Sequence, residues 1–456
     1  MRARVLTPLA CLALLTGCFN PEDDSPAASD TDATTGTMTT PGSPTTNDPS
    51  AGSTSTGADS LTSTTNDPST TDAETTTDDD TSGGPAESSS SSTGEPIPIE
   101  CMDGTPAPGE VCFDDAAVLN AGDIGYSPRV GEVNGDGNVD LLYLYGDQIV
   151  VRLGGGDGTF GPELPDETLF CDTMELADVD GDDELDHVCT VNYEDILSVS
   201  LGNGSGSFSL QTPHTQVGNA PVEIAAGHLN GDGNADVATI HGDATGFGQV
   251  RVSLSQGNGL FMISDTLSTG NLPGADVTMG DFTGDGVNDL AFTVASGTSQ
   301  VRIAVNDGDG DFGQSLEVNT TTSGAFGIAA GDFNGDGDDD LAVANSDSIL
   351  ALVGTGTASF ENAVSLDVPD GALANRVAVD DVTNDDLADI IAVYSNQAVV
   401  SVFPSNGDGT FAERVDLTIG AVSDSLSTGD VNDDGVPDLV IGSTSEELIT
   451  VLVSTP

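Results

Sequence analysis

The chain has 456 residues, of which 76 are Asp or Glu and only eight are basic, all of them Arg, for a formal charge of −68. So anionic a chain repels phosphate backbones and acidic lipid headgroups, which excludes nucleic acid as a partner. Fifty-seven Gly, 4% aromatic residues and no Trp, in a chain that is 36% hydrophobic, suit a turn-rich β protein better than a helical one.

Met1-Arg2-Ala3-Arg4 is a short cationic start, and the apolar run Val5 to Leu15 that follows is too short to span a bilayer permanently. Residues 1–17 therefore read as a secretory signal. The tetrapeptide Leu15-Thr16-Gly17-Cys18 resembles the bacterial lipobox, whose cysteine is acylated and becomes the new N-terminus. That resemblance implies lipidation at Cys18 and an exported bacterial lipoprotein. The alternative is an ordinary signal peptide in which Cys18 is incidental. Two or three acyl chains anchor stably where one is marginal. Phe19 in place of Asp after the cysteine resembles the Gram-negative signal for the outer membrane, hence an outer-membrane or cell-surface location.

Residues 18–100 are rich in Ser, Thr and Asp. From Phe19 to Glu100 there are 16 acidic residues and no basic one, and between Asn20 and Pro96 the large apolar residues are Met38 and Leu61. Such a stretch cannot bury enough apolar area to offset its chain entropy, so an extended, disordered tether is expected. Asn47-Asp48-Pro49-Ser50 recurs as Asn66-Asp67-Pro68-Ser69, a mark of low complexity and not of a folded repeat.

From residue 101 to 456 one pattern recurs, centred on a nine-residue acidic loop. The loops run Glu132–Asp140, Asp178–Asp186, His228–Asp236, Asp281–Asp289, Asp332–Asp340, Asp381–Asp389 and Asp430–Asp438, with final Asp residues 46, 50, 53, 51, 49 and 49 positions apart. After each comes a short Val/Ile/Leu-rich run such as Leu341-Ala342-Val343-Ala344, a polar turn, and a second run such as Val301-Arg302-Ile303-Ala304-Val305. These are strands by length, residue type and flanking Gly, Asn and Asp. A Gly-rich turn ending in Phe (Phe160, Phe208, Phe261, Phe312, Phe360, Phe411) leads to another strand. Four strands per unit of about fifty residues, closed radially, predict an all-β, seven-bladed β-propeller. The chain ends before a seventh Phe turn, and Phe113 with Ala116-Ala117-Val118-Leu119 precedes the first loop. The N-terminal strand is therefore expected to complete the last blade.

Each loop sets side-chain oxygens at positions 1, 3, 5 and 9, with a backbone carbonyl available at position 7. Oxygen-only donors on a flexible turn select Ca²⁺ over zinc or copper. The candidate metal ligands are Glu132, Asn134, Asp136 and Asp140; Asp178, Asp180, Asp182 and Asp186; Asn230, Asp232 and Asp236; Asp281, Asp285 and Asp289; Asp332, Asn334, Asp336 and Asp340; Asp381, Asp385 and Asp389; and Asp430, Asn432, Asp434 and Asp438. The second, fifth and seventh loops have the most complete sets. The fourth and sixth carry the weaker Thr283 and Thr383 at position 3, and the third opens with His228, a poor Ca²⁺ ligand; for that loop an acidic turn held by its own hydrogen bonds is an equal alternative. Gly at position 6 permits a sharp turn, and the second and sixth loops have Asp183 and Asp386 instead. An EF-hand needs Glu at position 12 between helices, but position 12 is Tyr143, Cys189, Thr239, Phe292, Val343, Ala392 and Ile441, and the flanks are strands.

Asp332-Phe333-Asn334-Gly335-Asp336-Gly337, Asp281-Phe282-Thr283-Gly284-Asp285-Gly286 and the turn Asn406-Gly407-Asp408-Gly409-Thr410-Phe411 resemble the FG-GAP or VCBS-type repeats, which are similar to the calcium-binding blades of integrin α-subunit propellers. The resemblance covers Phe113 to Val453. It implies seven blades with Ca²⁺ in the hairpin loops, on the face opposite the usual ligand face.

Four cysteines remain in the folded part, and an even count in an exported chain reads as disulfides, Cys101 with Cys112 and Cys171 with Cys189, other pairings staying open. The four His show no zinc spacing, and no nucleophile elbow, phosphate loop or dinucleotide fingerprint occurs. Arg152, Arg251 and Arg302 share a column on the third strand of their units, where pairing with acids of neighbouring blades is expected. With no catalytic motif, the leading expectation is a non-enzymatic, lipid-anchored, calcium-binding surface propeller for adhesion or for binding a protein or glycan. The connections Pro213 to Pro221, His241 to Gly248 and Ser268 to Gly274 are candidate contact regions. The alternative is a propeller enzyme or lectin acting on polysaccharide through carboxylates near the central channel.

Overall fold

A computed structural model describes residues 108–455, apart from 115–116, 121–124, 147, 166–170, 243–247, 271, 295–299, 314, 319–323 and 362. The expected signal, Cys18, the tether and Cys101 lie outside the described residues.

Seven antiparallel blades form a closed ring. Their innermost strands are Gly125–Gly131, Thr173–Ala177, Pro221–Gly227, Gly274–Gly280, Ala325–Gly331, Ala374–Asp380 and Ser425–Gly429. Each touches the inner strands of both neighbouring blades, and the last touches the first. Ring closure is through the outer strand of blade 7: Ala117–Asn120 pairs antiparallel with Leu448–Leu452, Val118 opposite Thr450. Phe113 extends the pairing as a bridge to Ser454. The edge that Leu448–Leu452 would otherwise expose is thereby covered.

The second strand of every blade, for example Asp389–Tyr394, is buried along its length, apart from the half-buried Tyr145 that ends the one in blade 1. Continuous apolar runs without polar alternation arise because both faces of the strand are covered, here by the two adjacent blades. The core is accordingly divided, with one cluster between each pair of neighbouring blades. Phe282 and Phe333, the second residues of their loops, pack at a tilt of 58° against the turn phenylalanines of the next blade, Phe360 and Phe411, with ring centroids 6.0 and 5.3 Å apart. Close blade packing also demands a small residue where most inner strands end. A Cβ on Gly331 would lie 2.6 Å from Val379 of the next blade, and one on Gly429 would lie 2.5 Å from Val130.

Cys171, two residues before the inner strand of blade 2, forms a disulfide with Cys189 of its second strand. Cys112 is disulfide-bonded as well.

Candidate metal centres on the acidic face

Every acidic loop joins the inner strand of its blade to the second strand, so the seven loops share one face of the ring. The backbone follows one course in nearly all of them. The sixth residue has positive φ in each, and Asp183 (68°) and Asp386 (67°) adopt the conformation that glycine takes elsewhere. At position 4 the third loop departs, since Gly231 is not among the positive-φ glycines.

The ninth Asp is the first residue of the second strand and is 0% exposed in all seven blades. One oxygen accepts the N–H of the loop's second residue at 2.6–3.2 Å. The other accepts a backbone N–H at the end of the third strand, from Gly154, Gly202, Ser255, Asn306, Gly354, Ser405 or Ser454, at 2.6–2.9 Å. Sequence reasoning assigned these residues to a metal and missed this second role: each latches its loop to the turn two strands away. The pairing of a buried carboxylate with two backbone donors has no signature in spacing alone.

The first residue works locally. Asp332 accepts from Gly335 and Gly337 at 2.6 and 2.8 Å, and Asp178 accepts from Gly181 and Asp183 at 2.7 and 2.9 Å. Asp281, Asp381 and Asp430 each take the N–H of their sixth residue at 2.7, 2.8 and 2.8 Å. Glu132 accepts from Asn134 at 2.7 Å.

In the second loop Asp178, Asp180 and Asp186 converge, each offering an oxygen so that all three atoms lie within 4.8 Å of one another. Asp180 Oδ1 is buried there without a hydrogen-bond partner, and Thr283 Oγ1 is in the same condition at the matching position of the fourth loop. Buried acceptors are normally paired. An orphaned oxygen facing two further carboxylates fits a hard cation. Asp182 is exposed and accepts from Glu184 at 3.0 Å. In the fifth and seventh loops Asn334 and Asn432 turn their amide nitrogens to Asp336 and Asp434, at 3.1 and 2.7 Å, and in the first loop Asn134 turns its nitrogen to both oxygens of Asp140 at 3.2 Å. An amide rotation would present oxygen instead. In the sixth loop Asp385 bonds Leu387 N at 3.1 Å, and in the fourth Asp285 bonds Val287 N at 3.0 Å. The third loop closes on itself: His228 Nδ1 lies 3.1 Å from Asn234 O, its position-7 carbonyl, while Asn230 and Asp232 bond the loop backbone.

Burial pushes the carboxyls of Asp186, Asp340 and Asp389 up to about 7 and those of Asp289 and Asp438 to about 6, with nearby loop carboxylates adding to the rise against the backbone donors. Asp140 and Asp236 move the same way for the same first cause. Asp180 is raised by burial and then by Asp182 and Asp178. The folded loops thus hold charge that a proton or a cation must offset.

The inner strands line a central cavity of about 550 Å³, and here sequence reasoning missed an ion network. Arg376 of blade 6 spans the channel to Glu223 of blade 3 and lies 3.6 Å from Asp276 of blade 4. Arg129 makes a two-pronged pair with Glu175 at 2.9 and 2.6 Å. Burial lifts Glu223 to about 7, against the pull of Arg376. The only sequence signal is that Arg129 and Arg376 fall on inner strands of a chain with few cations. The third-strand arginines also differ from expectation. Arg152 pairs with Glu163 of its own blade at 2.6 Å, and Arg302 reaches Gln300 beside it and the backbone of Ser268 in the preceding blade. Arg251 and Arg302 pack on the inter-blade glycines Gly218 and Gly270, where a Cβ would meet them at 2.5 and 3.0 Å. Among the described residues, close backbone packing therefore takes the place of the expected acids at these two positions.

Segments 228–292, 281–343, 332–392 and 381–441 match the model of the FG-GAP-like repeat. Each begins at the first residue of one acidic loop and ends inside the second strand of the next blade. No curated protein sequence matches the chain. Among solved structures, the chain is similar to a lectin of Agrocybe aegerita that recognises non-reducing terminal N-acetylglucosamine, at 19% identity and a TM-score of 0.52, over 73% of this chain and 86% of that one. A chain of the BBS1N–ARL6DN complex is similar at 12% identity and a TM-score of 0.52, over 75% of this chain and 97% of that one. At such identities the likeness concerns the fold. With four repeats matched in sequence and seven blades closed in a ring, the chain is an FG-GAP-repeat β-propeller protein.

Proposed function

We propose that this is a non-enzymatic, lipid-anchored surface propeller whose acidic loops bind Ca²⁺ and whose ring serves adhesion through a protein or glycan ligand. The observation that carries the calcium reading is the convergence of Asp178, Asp180 and Asp186 on one point, with an Asp180 oxygen buried and unpartnered. An all-oxygen, mixed-geometry donor set suits Ca²⁺, which would offset the loop charge and brace each hairpin. Asp178, Asp180 and Asp186 would hold it in blade 2, with the matching residues of the other loops in their blades.

A binding role is supported by the fold's likeness to a glycan-recognising lectin, and by the channel, whose Arg129 and Arg376 already engage Glu175, Glu223 and Asp276. Carboxylates tied to arginine are poorly placed for acid–base work on a sugar. The anchor reading rests on Leu15-Thr16-Gly17-Cys18. The test is elemental analysis of the purified chain together with a glycan array read in Ca²⁺ and in chelator. Bound calcium and Ca²⁺-dependent glycan retention are expected; a metal-free protein, or hydrolysis of an arrayed polysaccharide, would refute the reading.

A further inference from the structure

We propose that Ser255, Asn306 and Ser405 are coupling residues that make neighbouring cation loops fill cooperatively. The inference deepens the calcium reading and rests on it.

Each of these residues sits where the third strand of a blade enters its Phe turn, and each is held on both sides. Ser405 N donates to Asp389, the ninth residue of loop 6, at 2.9 Å, while Ser405 Oγ donates to the carbonyl of Phe333, the second residue of loop 5, at 2.5 Å. Ser255 does the same between Asp236 of loop 3 and Val179 O of loop 2, at 2.8 and 2.5 Å. Asn306 joins Asp289 of loop 4 to Leu229 O of loop 3, at 2.8 Å on each side. All three are buried, at 3%, 2% and 6% exposure for Ser255, Asn306 and Ser405. Both bonds are therefore shielded from bulk water.

A second set of bonds runs along two of these seams and along that of blades 4 and 5. The N–H of the eighth loop residue reaches the carbonyl of the first residue in the preceding loop: Ala235 to Asp178 at 2.8 Å, Asp339 to Asp281 at 3.1 Å and Ala388 to Asp332 at 3.4 Å. A backbone N–H also caps the second carbonyl at the seam of blades 4 and 5, from Ala358 to Phe282, and at those of blades 1 and 2 and of blades 7 and 1, from Gly206 to Val133 and Gly158 to Val431. Blade 7 has no Phe turn of its own, and there the N-terminal segment substitutes, with Gly109 N donating to Thr383 O of loop 6 at 2.9 Å. A cation drawing on the ninth Asp of one loop tightens a latch that already holds the coupling residue, and with it the second carbonyl of the loop before. The neighbour then binds with part of its ordering cost already met, which is positive cooperativity without a global change of shape.

The experiment is a Ca²⁺ titration of the full chain by calorimetry, with bound ions counted by elemental analysis, for the wild type, Ser405→Ala, the triple variant Ser255→Ala/Asn306→Ala/Ser405→Ala, and Ser405→Thr. In the alanine variants the ion count should hold while the concentration range from a tenth to nine-tenths filling widens, by about threefold where a pair of sites loses a fivefold coupling in affinity, the lower end of ordinary site-to-site coupling. Ser405→Thr keeps the hydroxyl and should restore the wild-type range. An unchanged range in Ser405→Ala and the triple variant, or no rescue by threonine, overturns the coupling while leaving calcium binding intact. No bound calcium in the wild type overturns the calcium reading itself. If the triple variant does not fold, the Ser405→Ala and Ser405→Thr pair decides.

Discussion

Asp340→Ala tests whether the ninth Asp is a latch or only a candidate ligand. The substitution strips the acceptors from Phe333 N and Gly354 N, bonded at 3.0 and 2.6 Å. Both donors belong to buried residues, Phe333 at 0% exposure. Each orphaned buried donor costs about 1–3 kcal/mol, so the pair costs about 2–6 kcal/mol. With an unfolding entropy of about 2.1 cal/mol/K per residue over roughly 340 residues, that predicts a Tm lower by about 3–8 °C. The melt should be followed by circular dichroism in excess chelator, at pH 8 so that the carboxyl is ionised, with Asp336→Ala as the control. Asp336 has the same charge and belongs to the same loop, but it is exposed, and its loss should cost under about 1 kcal/mol. If both variants melt together in chelator, the latch is wrong and the ninth Asp matters only through metal.

Excess Ca²⁺ should raise the wild-type Tm over that in chelator, by an amount that grows with the logarithm of free calcium; a flat response in differential scanning calorimetry would contradict the calcium reading. In the channel, burial holds Glu223 well above its ordinary value, at about 7, with Asp276 and Glu175 adding to the rise and Arg376 and Arg129 opposing it. Its ionised form is therefore disfavoured in the fold, so stability is lost as pH climbs from the ordinary carboxylate range through about 7. Glu223→Gln should flatten the fall in Tm between pH 5 and 8 in constant excess Ca²⁺, and an unchanged slope would rule out this source. Reducing Cys171–Cys189, which closes a loop with a sequence separation of 18, should cost about 3 kcal/mol in denaturant unfolding, and a midpoint identical with and without reductant would contradict it. Deleting residues 1–120 removes the strand that covers Leu448–Leu452, and light scattering should show aggregation that the full chain lacks.

The period of about fifty, the acidic nonapeptides and the absent seventh Phe turn were sufficient for the blade count and for closure by the N-terminal strand, because repeats that bury their faces only against copies of themselves leave their register in the chain. Donor types were equally legible, since hard cations select oxygen irrespective of packing. The relative quality of the loops was not. Asp180 and Thr283 hold orphaned oxygens, whereas Asn334 and Asn432 turn amide nitrogen to their neighbouring acids, and these are matters of side-chain rotation within a fixed pattern. Folding alone decided the partners of the ninth Asp, the reach of Arg376 across the channel to Glu223, and the bonds that Ser255, Asn306 and Ser405 throw to the preceding loop. The ninth Asp finds its partners 7 to 19 positions away, but the coupling bonds and the channel pair join residues 72 to 153 positions apart, as Ser405 to Phe333 and Arg376 to Glu223 do. A local pattern encodes which face of a strand is apolar and where a turn falls; which groups meet across a ring depends on how its blades are angled against one another, a property of the closed assembly that no single repeat contains.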